Sequence, residues 1–520
     1  MIYRSRQHDI LVPDVSVSEH VLAGVHDHPD KTALVDGVTG ELITYRQLDD
    51  LSARAAAGLR DSGITPGDVV ALISHNQPTS AVAVHSILRA GASVSPINPA
   101  LTESEIAKQL RDSKACAVIS AHEISQKSAD AARAAGVDLH FVIGDSREGK
   151  PFSALYATAP IEPLELDATT TLAALPYSSG TTGASKGVML THRNIVANLE
   201  QLRAGWRTTD ADVFCGALPF FHIYGFTIIL NSALLAGATI VTLPRFDLAT
   251  YFRVVQEHKV TRGHVAPPVV LALAQAPEIA QYDLTSMRTA ISGAAPLDEE
   301  AVARAETRTG VVIRQGYGMT EASPGTHFVY DEDFTTTPAG SIGRLMPATE
   351  ARIVDVVTGV DVSPGERGEL LIRGPQVMAG YFGNEAATAA TITDGWLHTG
   401  DIATVEGENF YIVDRLKELI KYKGYQIAPA ELEALLLTHP AITDAAVIGI
   451  AHATGGEAPK AFVVTDRDLG ADELIEWAAE RIAPYKKIRA VQFVDSIPKS
   501  PAGKILRRIL KDAETAIPQA

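Results

Sequence analysis

The sequence predicts an α/β protein, with a large N-terminal region of βαβ-type sheets that includes a β-rich subdomain, and a small C-terminal α+β domain on a hinge. Three observations carry this. From Val69 onwards, apolar strand-like runs alternate with helical stretches, which is the rhythm of parallel βαβ units. From Ser341 the texture changes to short strands with few long helices between them. At Asp414 it changes again, as an acidic stretch (Asp401, Glu406, Glu408) gives way to Lys417, Lys421 and Lys423. These shifts divide the chain into residues 1–413, with the β-rich subdomain at about 341–413, and a mobile domain over 414–520. Only a few polar residues join the two, so the joint is expected to hinge.

A chain of 520 residues exceeds one ordinary core. Its 46% apolar and 21% charged residues describe a soluble globular protein. A net charge of −17 argues against nucleic acid as the main partner, and an anionic substrate would need local positive charge. Cys116 and Cys215 have no metal-ligand spacing and read as reduced thiols of a cytoplasmic protein. The N-terminus lacks a secretory h-region, and Ile-Pro-Gln-Ala at the end is not a peroxisomal address. Residues 226–243 carry no charge, but Asn231, Ser232 and Gly237 interrupt them. They are expected to form a buried helix and then a core strand.

In chain order, residues 41–43 read as a strand, and Thr44 with Gln47 offers a capping box for an alanine-rich helix ending near Ser62-Gly63. Strands follow at 69–73 and 94–97 around a helix at 79–90, then at 117–119, 140–143 and 172–175. Pro267-Pro268 opens a helix, because proline suits a first turn. Residues 353–354, 368–374 and 409–413 supply strands of the β-rich part. Beyond Asp414 come a helix at 429–437, strands at 446–450 and 461–464, an amphipathic helix at 472–482 and a last strand at 491–494.

Several loops carry chemistry. After the strand at 172–175 stand Ser178, Ser179, Gly180, Thr181, Thr182, Gly183 and Lys186. Glycines admit close backbone N–H groups, hydroxyls donate, and lysine adds a point charge, so this loop can cradle phosphates. It is not a Walker A loop, because Lys186 follows Ser185 and precedes Gly187. A solvated surface loop is the other reading. His222 lies among Phe220, Phe221 and Tyr224, which suits an apolar pocket wall with one polar group. Ser292, Gly293, Ala294 and Ala295 follow one expected strand, and Gly316, Tyr317, Gly318, Thr320 and Glu321 follow another, where doubly wound sheets bind ligands. Tyr317 could stack on a base and Glu321 could hold Mg²⁺ through oxygen; a packed turn is the alternative. Asp401 could accept from ribose hydroxyls or sit in an ordinary Gly-Asp turn. Lys504 lies on a Pro/Gly-rich loop before a basic helix, fixed in place or merely solvated.

Taken together, these segments resemble the adenylate-forming superfamily of acyl-CoA synthetases, nonribosomal adenylation domains and luciferases. The resemblance spans Tyr45 to Arg508, with each signature in the expected order. The loop at 177–187, Gly316 to Glu321, Gly395 to Asp401, Asp414-Arg415-Leu416-Lys417 and residues 498–504 carry it. The nearest likeness within it is to 4-coumarate–CoA ligases, through residues 2–5, 221–224, 292–297 and 416–426. After Glu321 the chain reads Ala322-Ser323-Pro324-Gly325, where the plant hydroxycinnamate enzymes carry a Gly-Pro-Val-like segment lining the acyl pocket.

The resemblance implies a ligase acting in two halves. A carboxylate attacks the α-phosphorus of ATP and expels pyrophosphate; coenzyme A thiolate then attacks the acyl-adenylate and expels AMP. It assigns Ser178, Thr181, Thr182 and Lys186 to the β- and γ-phosphates, with Ser179, Gly180 and Gly183 in the same loop. Glu321 goes to Mg²⁺ and Thr320 to the α-phosphate. Tyr317 and Ala294 go to adenine, beside Gly316 and Gly318, and Asp401 and Arg415 to ribose. Lys504 would bridge carboxylate and phosphate, with His222 beside them. Tyr224, Ser292, Gly293, Ala295, Gly316, Pro324 and Gly325 are candidates for the acyl pocket. Lys421 and Gln426 would assist the second half and Lys423-Gly424 would meet coenzyme A, with Lys417 as pivot. The implied acid is 4-coumarate or a related hydroxycinnamic acid. A medium- or long-chain fatty acid is the alternative. A carrier-protein adenylating enzyme, a luciferase-like oxygenase and a non-catalytic nucleotide sensor are further readings.

Overall fold

The computed structural model describes residues 1–6, 10–145, 147–157, 159–178, 185–293, 297, 299–422, 425–451, 457–500 and 503–515, the side chains of Tyr425, Gln426 and Thr515 aside. Predicted site residues Ser179, Gly180, Thr181, Thr182, Gly183, Ala294, Ala295, Lys423 and Gly424, and the side chain of Gln426, lie outside the described set.

The βαβ rhythm builds a parallel array in which Ser93–Ile97, Val69–Ile73, Ala117–Ala121 and Leu139–Ile143 lie side by side in that order. Leu172–Ala174 extends it in parallel from Ser93–Ile97, and Lys186–Thr191 turns back antiparallel. The first three strands are buried on both faces, and Val69–Ile73 has the continuous apolar run that such burial favours. The helix Tyr45–Asp61 starts with Thr44 and Gln47 in the reciprocal capping box and buries its alanine face.

A second sheet has the order Val312–Gln315, Thr289–Ser292, Arg262–Val265, Val213–Gly216, Thr239–Thr242, Thr32–Asp36, with Leu42–Thr44 antiparallel at the edge. The uncharged stretch at 226–243 divides at Gly237, as expected. Its helical half differs in winding: Tyr224–Asn231 is a π-helix continued by Ser232–Leu235, and Thr239–Thr242 is the strand. Asn231 donates to the Phe226 carbonyl at 2.8 Å, satisfying a backbone group within the wide turn. Among the described residues no helix is long and apolar enough to cross a membrane.

The β-rich part is an antiparallel sheet of Tyr3–Arg4, Glu350–Val354, Gly368–Arg373, Trp396–Glu406 and Ile392–Thr393, with Asn409–Arg415 against Trp396–Glu406. That last strand runs through Asp414 to Arg415, and a turn on which Lys417 is exposed follows. Beyond it stand the hairpin Ile420–Tyr422 and Tyr425–Ile427, the helix Pro429–Leu437, and a sheet of Ile442–Ala451, Glu457–Thr465 and Ala490–Phe493. These elements share their own core, with Leu432, Leu436, Val447, Val463 and Leu474 buried in it. The helix expected over 472–482 is shorter, Ala471–Ala479, because the chain turns toward Pro484.

Candidate active site

The strand Lys186–Thr191 pairs back on Tyr177–Ser178, with Lys186 opposite Ser178, so the predicted phosphate loop joins two paired strands. Ser185 Oγ closes its base by donating to the Ser178 carbonyl at 2.9 Å. The Lys186 ammonium stands 5.1 Å from the centre of the Tyr381 ring, and the Tyr381 hydroxyl donates to Glu321 Oε1 at 2.9 Å. Tyr381 therefore ties the phosphate-loop cation to the carboxylate expected to face Mg²⁺. Nothing local in Gly380-Tyr381 signals this, because the two partners lie far off in the chain.

Glu321 is buried in the short turn Thr320–Ala322. Among the described residues no three carboxylate, histidine or cysteine side chains are grouped so that they could hold a metal ion. A single carboxylate oxygen beside phosphates nevertheless fits Mg²⁺, which takes one or two carboxylates and completes its shell with phosphate and water.

Tyr317 donates to Asp401 Oδ2 at 2.6 Å, and Arg415 Nε lies 3.4 Å from Asp401 Oδ1. The pairing of Trp396–Glu406 with Asn409–Arg415 sets Asp401 directly opposite Arg415. Burial raises the Asp401 carboxyl above its ordinary value, and burial beside Asp401 raises the Tyr317 phenol. Gly318 leaves no room for a side chain, since a Cβ there would run into the Pro324 carbonyl oxygen.

The acyl-pocket candidates come together only in part. A Cβ on Gly293 would lie 2.8 Å from Tyr224 Cε1, and Tyr224 donates to the Ile291 carbonyl at 3.2 Å. Gly316 N donates to the Ser292 carbonyl at 3.0 Å, and the buried Ser292 hydroxyl has no partner among the described residues. Gly325 is instead bonded both ways to Asn198, at 3.0 and 3.1 Å, in a buried network with Gln201 and Gln376. Pro324 is buried beside it.

The Tyr224 backbone N–H donates to His222 Nδ1 at 3.2 Å, which leaves the proton of the neutral ring on Nε2. Burial, aided by the Lys504 cation, brings His222 down to about 4. Lys504 arrives from the small domain on a tight turn. Ser500 N donates to the Lys504 carbonyl at 2.8 Å, and Gly503 N donates to Ser500 O at 2.8 Å. Gly503, at φ +79, rests against Pro268 and Ala266 of the large domain. Burial, then the Arg415 cation, lowers Lys504 to about 8 against the pull of Glu418 and Asp401. Lys504, His222, Asp401 and Arg415 thus form one electrostatic unit across the joint. Lys421 does not join it: its side chain is exposed, and its N–H donates to Glu457 at 3.0 Å within the small domain.

A profile of the AMP-binding enzyme family matches residues 22–382, and one of the AMP-binding enzyme C-terminal domain matches 431–504. The chain belongs to the AMP-binding enzyme family. Among curated relatives of this AMP-binding enzyme, 4-coumarate–CoA ligase 5 of Oryza sativa subsp. japonica is 40% identical, over 98% of this chain and 97% of the relative. 4-coumarate–CoA ligase 1 of Petroselinum crispum is 39% identical, over 98% and 96%. ATP-bound MatB from Rhodopseudomonas palustris, 27% identical, overlays this AMP-binding enzyme with a TM-score of 0.89, over 97% of this chain and all of MatB. Apo MatB, with the same identity and coverage, overlays with 0.78.

Proposed function

We propose that this AMP-forming acid–CoA ligase activates 4-coumarate or a related hydroxycinnamic acid. The observation that carries the choice of acid is near-40% identity, along almost the whole chain, to relatives named 4-coumarate–CoA ligase. The buried Tyr224 ring against Gly293 suits a flat aromatic acid.

In the first half Lys504 holds the attacking carboxylate and the α-phosphate, two anions that repel unless a cation stands between them. Lys186 holds the outer phosphates, and Asp401 with Arg415 takes the ribose. Glu321 would hold Mg²⁺, which when bound neutralises phosphate charge. Neutral His222 borders the carboxylate and leaves the thiol's path open. No enzyme nucleophile is needed; positioning and charge do the work.

In the second half the small domain, which begins beyond the strand Asn409–Arg415, turns on Lys417 and withdraws Lys504. The segment from Lys421 to Gln426 then faces the adenylate. The seating of Lys504 beside His222, and the closer overlay on ATP-bound than on apo MatB, support reading the present orientation as that of the first half. The free thiols Cys116 and Cys215 suit the reducing cytoplasm, where we place the enzyme.

The test is acyl-CoA formation with ATP and free coenzyme A across cinnamic, benzoic and fatty acids. The reading expects the highest kcat/KM for 4-coumarate or a close hydroxycinnamate. A fatty acid in first place, or thioester formed only on a carrier protein, would overturn it.

A further inference from the structure

The joint between the domains carries a buried carboxylate that neither half-reaction uses. Asp414 is 4% exposed, at the end of Asn409–Arg415 and on the large-domain side of Lys417. One of its oxygens accepts from the N–H of Arg415 at 2.6 Å, the other from the N–H of Ala430 at 3.0 Å. Ala430 lies in the first turn of Pro429–Leu437, whose own N-cap residue, Ala428, makes no side-chain cap bond. Asp414 therefore caps, from across the joint, a helix that lacks a side-chain cap of its own.

The charges facing Asp414 do not balance it. Glu418 comes from the turn, Glu433 from the capped helix and Arg507 from Arg507–Thr515. Arg507 is already ion-paired with Glu418, and with Glu433 at 2.6 Å, so three carboxylates share one guanidinium. Arg415 on the same strand leans to Asp401, and Lys504 lies among these groups with its charge weakened by burial. Ile402, Leu419 and Ala428 exclude water from the joint. Two backbone N–H groups are modest compensation for an ionised carboxylate in such a place.

We propose that Asp414 is a positioning residue with a switchable charge: its neutral carboxyl, capping Pro429–Leu437, holds the small domain in the present orientation, and its ionised carboxylate favours release. The proposal rests on the two-orientation cycle above. Burial pushes the Asp414 carboxyl up to about 6, against the pull of the Ala430 N–H and Arg507. A carboxyl held above its ordinary value here, and returned to that value once the helix swings away, binds protons preferentially in the present orientation. Low pH therefore favours this orientation, and the preference is lost as pH rises through about 6. At neutral pH the buried charge brings the two orientations closer in free energy, so the domain turns readily once the adenylate has formed.

Asp414→Asn keeps an acceptor for Ala430 and removes the charge; Asp414→Ala removes both. With 4-coumarate, ATP and coenzyme A as probes, pyrophosphate exchange reads the first half, and a coenzyme A chase of preformed adenylate reads the second. In the wild type the chase should quicken as pH rises through about 6. Asp414→Asn should retain exchange, slow the chase about tenfold or more at pH 7.5, and flatten its pH profile, since each pK unit of linkage is worth about tenfold. Asp414→Ala should instead weaken exchange. A chase in Asp414→Asn that matches the wild type at every pH overturns the proposal. So does an equal loss in both halves, the mark of a merely structural cap. Lys417→Pro separates the failures. If that variant forms thioester at the wild-type rate, the two-orientation cycle itself is wrong. If it blocks the chase while Asp414→Asn is silent, only the role of Asp414 falls.

Discussion

Lys504 shows what burial does to a single residue. A lysine brought down to about 8 is cationic below that pH and neutral above it, and only the cation can bridge two anions. The first half-reaction, read as kcat/KM for pyrophosphate exchange, should therefore fall as pH rises through about 8. Lys504→Arg stays charged and should flatten that limb, whereas Lys504→Ala should lose about a hundredfold to a thousandfold, as removal of a preorganised charge does. Exchange at the wild-type rate in Lys504→Ala would remove the residue from its role. Roles for Lys504, Lys186, Asp401 and Glu321 could be proposed from the sequence because their motifs stand together in the order of one family, although each motif alone has a plainer reading. Tyr381 and Asp414 as partners of Glu321 and Ala430 were not legible there, since those contacts exist only once distant segments pair.

At the scale of the element, the parallel strands and the Thr44 cap could be read directly. Continuous apolar runs and a capping box are local signals, and the packing agrees with them. The π-winding of Tyr224–Asn231 could not be, because its hydrophobic content suits an ordinary helix equally well. Tyr317–Gly318 pairs with Gly325–Phe328 so closely that Gly318 has backbone where a side chain would go. Gly318→Ala must push the two strands apart and carry Tyr317 away from Asp401. Overpacking of this kind costs about 1–3 kcal/mol. Denaturant midpoint and ATP affinity should fall together; unchanged ATP affinity would mean that Tyr317 does not depend on this pairing.

For the whole molecule, the decisive relation is between the domains. The change of composition at Asp414 marks the region of the joint, yet the seating of Gly503 against Pro268 is a matter of three-dimensional fit that composition does not carry. Lys504 is seated and the Lys421 side chain is exposed, which is what the proposed cycle expects of an orientation that serves the first half alone. Stiffening the pivot with Lys417→Pro should slow coenzyme A discharge of the adenylate far more than pyrophosphate exchange, and equal losses would remove the pivot from the scheme. The measurement that bears most directly on the account follows both halves in one vessel: enzyme, ATP, Mg²⁺ and 4-coumarate, first without and then with free coenzyme A. The account predicts an acyl-adenylate with pyrophosphate before the addition, then one AMP and one coumaroyl-CoA for each ATP consumed. Formation of ADP, or an adenylate that free coenzyme A does not discharge, would contradict it.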